Sequence, residues 1–491
     1  MKRARRSTPK VRSGCLTCKA RRIKCDETKP TCQRCTHSNR TCEGYLASSD
    51  KASGSPATSL SITTYSIPFK VPGSQVDRQL LHFYCCQAAE SLSSFSDPTL
   101  WTRLILQRCH TQPIIRNALV TLSALYQDHH SRYSDEGNSP TQPSPRNLQL
   151  IARSHRQLRM HLSSPQASYE VALICGVIFY AFESLIGQTE NAIRHLDQAL
   201  ILFRRYRYQY HLLQQNGRGI GNDIFPHLSS RLARLDIQAS IYHDSRPVVL
   251  ASSEPIRPIS ELAPHSMPFR DVNHAETLLV DLQARLLQHL LLYLPYKRTP
   301  LNDLPPGIFH KRVALDAAFQ EYIHSITNVS LAGGSRTAQH ILLLRIQAQL
   351  FHSVLLENVH APSVSSPAAD ADSALSAALS NISALLDGTV TSHRDVDALS
   401  ARQSDRTERG FTLSTQLIAG LYVVCLKSSD PFNVDAALSL LQDPRLPRRD
   451  GLWDADVVTE VVKRLRDTAG SSKETFDHSE GAEGVRPDIL I

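Results

Sequence analysis

The chain has none of the features that would place it in a membrane, in a secretory compartment or among enzymes. Its longest apolar stretches are too short to cross a bilayer: Val171 to Phe182 is closed by Glu170 and Glu183, and Leu278 to Leu294 is broken by Asp281 and Arg285. No signal peptide opens the sequence, so a reducing intracellular compartment is expected and a disulfide framework is not. Neither a P-loop nor a G-x-S-x-G elbow occurs. Gly217, Gly219 and Gly221 form G-x-G-x-G, but position 222 is Asn and no strand precedes it, which argues against a dinucleotide site. The histidines, including His129-His130 and His195 beside Asp197, show neither a paired nucleophile nor a metal-ligand spacing. An enzyme is not expected.

What the chain does have is six cysteines between Cys15 and Cys42, spaced C-x2-C-x6-C-x6-C-x2-C-x6-C. The second three (Cys32, Cys35, Cys42) repeat the first three (Cys15, Cys18, Cys25), so the segment is two copies of one ligating unit. A tetrahedral zinc takes four thiolates, and six cysteines serve two zincs if two of them bridge both metals. The remaining cysteines (Cys85, Cys86, Cys109, Cys175, Cys425) sit among apolar residues and read as reduced core thiols, Cys85-Cys86 as a core pair.

Charge singles out the same region. Residues 1–45 hold 13 Lys and Arg against 3 acidic residues, an excess of +10, and the rest of the chain holds 41 against 43. Six thiolates with two zincs add −2, which leaves the segment cationic and points to a polyanion there. Residues 1–14, with Lys2, Arg3, Arg5, Arg6, Lys10 and Arg12, read as a basic arm for nuclear import and phosphate contact.

Cys18 to Cys25 has no Gly, Pro or β-branched residue before Ile23, which predicts a short helix from about Cys18 with zinc holding both ends. Lys19, Arg21, Arg22 and Lys24 would project outward. Asp26 to Pro30 predicts the turn between the halves. The second half carries only Arg34 and Arg40, with Thr36, Ser38 and Asn39, and reads as support. Arg and Lys donate to guanine O6 and N7 in the major groove. Arg21 and Arg22 are therefore the expected base contacts, with Lys10, Arg12, Lys19, Lys24 and Arg34 on phosphates.

On these residues the segment resembles the zinc binuclear cluster (Zn2Cys6) DNA-binding domain of fungal transcription factors. The resemblance implies that Cys15 and Cys32 bridge two zincs, one also held by Cys18 and Cys25 and the other by Cys35 and Cys42. It implies that Lys19, Arg21, Arg22 and Lys24 lie in the major groove at a short G/C-rich, CGG-like triplet. Pro30 and the Cys25-Asp26 pair fit its pattern as well.

Beyond the cluster, residues 46–74 read as a flexible linker rich in Ser, Thr, Ala, Pro and Gly. No apolar heptads follow Cys42, so a monomer, or a dimer through the C-terminal domain, is expected in place of a coiled coil. Residues 75–466 show helical periodicity. Val171, Ile174, Cys175, Ile178, Phe179, Phe182 and Leu185 form one stripe, Ile193, Leu196, Ala199, Leu200 and Phe203 another, and shorter stripes include Leu80 to Ala89 and Leu413 to Leu426. No strand pattern competes. Residues 131–147 and 359–371 read as surface insertions, 245–270 as a Pro-rich crossover and 467–491 as a disordered acidic tail.

The helical region resembles the regulatory domain that follows the cluster in many of these fungal factors, on Phe182-Glu183, Gly187, Ala192 to Leu196 and Arg448 to Asp454. The expected fold is all-α: a small zinc module joined by a linker to a large helix-hairpin regulatory domain. The expected function is zinc-dependent, sequence-specific regulation of RNA polymerase II genes in the nucleus. Double-stranded DNA and transcription machinery or co-regulators are the expected partners, and no membrane is. The competing reading is a helical scaffold tethered to nucleic acid without specificity.

Overall fold

The computed structural model describes residues 14–45, 72–134, 143–215, 224–243, 245–251, 269–296, 299, 303–329, 334–357, 367–396 and 410–474. The basic arm with Lys10 and Arg12, nearly all of the linker, the G-x-G-x-G stretch and most of the expected insertions, crossover and tail lie outside them. The chain forms two compact units, Met1–Ile62 and Thr63–Ile491.

In the first unit, α1 (Leu16–Ala20) and α2 (Gln33–Thr36) each start on a cysteine N-cap. Cys15 Sγ accepts from the Cys18 amide at 3.4 Å and Cys32 Sγ from the Cys35 amide at 3.3 Å. Both helices end alike. The Arg22 and Ile23 amides donate to the Lys19 and Cys18 carbonyls, as those of Asn39 and Arg40 do to Thr36 and Cys35. Arg22 (φ 53°) and Asn39 (φ 49°) both adopt the left-handed conformation.

α1 thus stops at Ala20, short of the helix expected from Cys18 towards Cys25. Helical rise explains why: a continuous helix would carry Cys25 about 10 Å along the axis from Cys18, out of reach of a shared metal. The left-handed turn at Arg22 reverses the chain. The Lys29–Pro30 peptide, within the predicted turn, is cis.

The second unit is helical. α3 (Gln75–Phe83) opens on a capping box between Ser74 and Asp77 and passes through a π-turn at Tyr84–Ala88 into α4 (Ala89–Ser91). A second π-turn, Leu100–Leu104, leads into α5 (Ile105–Thr111). There follow α6 (Pro113–Ser134), α7 (Pro145–Leu162), α8 (Tyr169–Leu185), α9 (Thr189–Gln215) and α10 (Phe225–Tyr242). Residues 171–185 of α8 are all buried, with α6 and α9 packed on it, which is why its sequence is apolar nearly all round.

The next layer is α11 (Val272–Tyr293), α12 (Pro306–Thr327), α13 (Ser335–Glu357) and α14 (Pro367–Val396), with α13 packed against the other three. α15 (Leu417–Lys427), α16 (Pro431–Leu441) and α17 (Ala455–Glu474) close the unit. α17 continues past residue 466, the expected end of the domain.

These helices bury three apolar cores. One is built by α3–α10, a second by α10–α13 with Ala419 and Val423, and a third by α13–α17 with Phe95. Trp453 packs against all three. It belongs to a small sheet that the periodicity did not predict. β1 (Phe411–Thr412) runs parallel to β2 (Arg449–Asp450), which is antiparallel to β3 (Trp453–Asp454).

The stripe expected as a helix from Leu413 becomes one only at Leu417. Residues 411–416 form a buried strap whose polar groups are met by distant side chains. Arg231 Nη1 donates to Ser414 Oγ at 2.6 Å, Arg234 Nη2 to the Ser414 carbonyl at 2.7 Å and Gln347 Nε2 to the Thr415 carbonyl at 2.8 Å. The Asp450 carboxylate, fully buried, accepts from Thr412 Oγ1 (3.0 Å), the Thr415 amide (2.9 Å) and Thr415 Oγ1 (2.8 Å). Such partners offer the backbone an alternative to helical bonding. Gly451 (φ 57°) turns the hairpin where a Cβ would stand 2.5 Å from Gln238 Oε1. Cys109 and Cys175 are core thiols as expected, whereas Cys86 is exposed, so Cys85-Cys86 is not a buried pair.

Candidate metal centre and nucleic-acid interface

Of the six cysteines, Cys15, Cys18, Cys32 and Cys35 are fully withdrawn from solvent, Cys25 nearly so, and Cys42 is half-buried. Their sulfurs gather into two tetrads, Cys15, Cys18, Cys25, Cys32 and Cys15, Cys32, Cys35, Cys42, each with all its ligand atoms within 4.8 Å of one another. Cys15 and Cys32 belong to both. Cys15 Sγ is 3.6 Å from Cys32 Sγ and 3.8 Å from Cys35 Sγ, and Cys18 Sγ is 3.6 Å from Cys32 Sγ and 3.8 Å from Cys35 Sγ. Zinc–sulfur bonds of about 2.3 Å in a tetrahedron set sulfurs roughly 3.8 Å apart. The donor set fits a binuclear zinc cluster, in which the ions would neutralise thiolates that the fold has packed together.

The thiols are tuned by position. Burial pushes the central thiols of Cys15, Cys18 and Cys32 up, Cys15 to about 12. At the periphery, burial of Cys25 is outweighed by hydrogen bonds, chiefly from the amides of Cys15 and Glu27, which lower it to about 6. The amides of Cys32 and Gly44 lower Cys42 in the mirrored way. The central sulfurs therefore need a cation to stay ionised, while the outer ones are prepared for one by hydrogen bonds.

Two supports, Gly14 and Tyr45, escaped the reading of the sequence, and the contacts of a third, Asp26, extend it. A Cβ on Gly14 would lie 2.9 Å from Cys25 Cβ, so only glycine allows this approach. Tyr45 Oη donates to the Thr28 carbonyl at 2.8 Å and lies 3.7 Å from Cys25 Sγ. Asp26 Oδ2 accepts from the Gln33 amide and Thr28 Oγ1, both at 2.9 Å, tying the inter-half turn to the start of α2. The only sequence signal of Gly14 and Tyr45 was nearness to the cysteines.

Lys19, Arg21, Arg22, Lys24 and Arg34 are all exposed. Lys19 lies in the last turn of α1, Arg21 caps its C-terminus and Arg22 and Lys24 follow on the reversed segment. Four cations thus cluster around one helix end, not along a helix face. Arg21 Nη1 donates to Ser38 Oγ at 3.0 Å, which reaches across to the other half.

Comparison with known proteins agrees with this geometry. Residues 13–52 match the fungal Zn(2)-Cys(6) binuclear cluster domain and residues 79–279 match the fungal specific transcription factor domain. In both stretches the chain is similar to fungal transcription regulators. It is 23% identical over 385 residues to a cluster-specific transcription regulator of aspercryptin biosynthesis from Emericella nidulans, covering 70% of this chain and 59% of that protein. It is 28% identical over 218 residues to a transcription regulator from Purpureocillium lilacinum, 39% of this chain and 49% of that one. The chain thus spans about half to three-fifths of the length of these relatives. A transcriptional regulatory protein of Schizosaccharomyces pombe is 67% identical over 36 residues, 7% of each chain. No solved structure matches the chain. Among the described residues no helix is long and apolar enough to cross a membrane.

Proposed function

We propose that the chain is a zinc-dependent, sequence-specific regulator of RNA polymerase II genes that reads a short G/C-rich, CGG-like motif in the major groove. The observation that carries this reading is the pair of sulfur tetrads sharing Cys15 and Cys32, beside which Lys19, Arg21, Arg22 and Lys24 crowd one exposed helix end. Metal binding supplies the folding free energy of so small a module, about 10 kcal/mol or more per site, so metal loss abolishes DNA binding. Arg21 and Arg22 donate to guanine edges, while Lys19, Lys24, Arg34 and the basic arm with Lys10 and Arg12 hold phosphates. The protein acts in the nucleus, recruits transcription machinery or co-regulators, and binds as a monomer or as a dimer through the helical unit.

The test is selection of bound duplexes from a random pool by the full chain with zinc. Enrichment of one short G/C-rich motif is expected. An unselected pool, with affinity that falls steeply with salt and does not depend on sequence, would instead make the module a non-specific tether for a helical scaffold.

A further inference from the structure

The histidines show no metal-ligand spacing along the sequence, yet three helices bring a ligand set together. His155 on α7, Glu183 on α8 and His195 on α9 offer one nitrogen, one oxygen and one nitrogen, all within 4.8 Å of one another. We propose that His155 Nε2, Glu183 Oε1 and His195 Nε2 form a divalent transition-metal site that takes Zn2+, separate from the sulfur cluster.

The side chains are close but unbonded. Glu183 Oε1 lies 3.8 Å from His155 Nε2 and 4.0 Å from His195 Nε2, beyond hydrogen-bond reach. His155 Nε2 is screened from solvent and has no hydrogen-bond partner. An orphaned nitrogen aimed at a carboxylate that is 96% buried calls for an occupant. Zinc bonds of about 2.0–2.2 Å in a tetrahedron set such donors roughly 3.4 Å apart, so inward shifts of the side chains by about 1 Å or less complete the site. Each imidazole is more than a quarter exposed, which leaves its ring room to make that shift.

The surroundings orient the ligands. Phe179 meets both imidazoles edge to face, at 4.7 Å from His155 and 5.3 Å from His195. Asn191 stands near Glu183, where it favours the ionised carboxylate, and its Oδ1 accepts from Arg194 Nη1 at 3.2 Å, the kind of outer-shell group that orients a ligating carboxylate. Burial keeps both imidazoles neutral, with lone pairs available, and the nearby Arg159 and Arg194 act in the same sense. Those two cations also weaken the site, which suits it to reversible occupancy. A bound ion would pin α7, α8 and α9 together and couple the helical unit to available zinc.

The experiment titrates zinc alone into the full chain carrying its two cluster zincs. A third equivalent is expected, raising the melting temperature of the helical unit. Cobalt(II) in its place should give weak visible bands without sulfur charge-transfer absorption. Asn191→Ala should weaken the third equivalent about 10-fold or more. His155→Gln and His195→Gln should each abolish it while helical circular dichroism and the two cluster zincs persist. A stoichiometry that stays at two, or a third equivalent that survives both substitutions, overturns the proposal. Should either variant fail to fold, the wild-type stoichiometry and cobalt spectrum decide.

Discussion

Arg21 and Ser38 stand at corresponding positions of the two halves of the cysteine module, 17 residues apart, and Arg21 Nη1 donates to Ser38 Oγ at 3.0 Å. Ser38 Oγ in turn donates to the Arg34 carbonyl at 2.7 Å, so its lone pairs face the guanidinium. The second half thereby holds a proposed reading side chain of the first. Ser38→Ala should leave zinc content unchanged and reduce discrimination between the selected motif and a guanine-substituted one by about 3- to 10-fold, less than Arg21→Ala does. Competition binding with matched and mismatched duplexes measures both. Equal losses of affinity for every duplex would make Arg21 a phosphate contact.

Arg22 separates conformation from recognition. Its left-handed backbone costs a side-chain-bearing residue about 1 kcal/mol, which glycine does not incur. Arg22→Gly should resist chelator at least as well as wild type and Arg22→Ala should not exceed it, yet both should lose base preference. If base preference follows chelator resistance instead, Arg22 has no reading role.

The shared thiols make the cluster's ligands unequal. Cys32→Ala removes a ligand from both tetrads, Cys42→Ala from one. Zinc content should fall towards none in the first variant and towards one per chain in the second, with DNA binding lost in the first. Chelation should reproduce the first result and leave the helical signal of the large unit, whose cores are its own. Mass spectrometry under native conditions reads the zinc count. Identical counts in the two variants would contradict bridging by Cys32.

Asp450 is a single acceptor for three donors of the buried strap. Asp450→Ala would orphan Thr412 Oγ1, Thr415 Oγ1 and the Thr415 amide, and should lower the stability of the helical unit by about 3 kcal/mol or more. Urea unfolding followed by circular dichroism gives the value. A loss below about 1 kcal/mol would mean that water replaces the carboxylate.

Glu183 predicts a pH dependence of known sign. Burial raises its pKa from 4.5 to about 7, Asn191 opposing. A carboxyl raised in the folded state contributes stability that is full below pH 4.5 and disappears as pH rises through about 7. His155 and His195, both lowered, act on the acid side, where their stabilisation is lost as pH falls. With only the two cluster zincs present, Glu183→Gln should therefore gain melting temperature relative to wild type between pH 5 and pH 8. A difference independent of pH would show that Glu183 keeps one charge state throughout.

The cysteine module was legible because its chemistry is written in short spacings: duplication, bridging and cationic excess all follow from counting positions. The extent of α1 was not, since propensity favours helix through Lys24 and only the need to return Cys25 to the sulfurs overrides it. In the large unit, α8 and α9 show their apolar periods openly. The strap at 411–416 does not, because Leu413 and Leu417 fit a helical stripe and the polar partners that keep it extended, Arg231, Arg234, Gln347 and Asp450, lie far away in sequence. The His155, Glu183 and His195 constellation was invisible for the same reason: its spacing exists only across three helices.

The mirrored backbone of the two halves has a consequence for how such a module changes. Lys19, Arg21, Arg22 and Lys24 correspond to Thr36, Ser38, Asn39 and Thr41, so one framework appears twice, charged in one copy and neutral in the other. In the proposed reading, the difference between the copies at these four positions is what makes the first half the reader and the second its support. In that reading, exchanging those four pairs would move the reading surface to the other half of the module, onto a backbone already shaped to carry it.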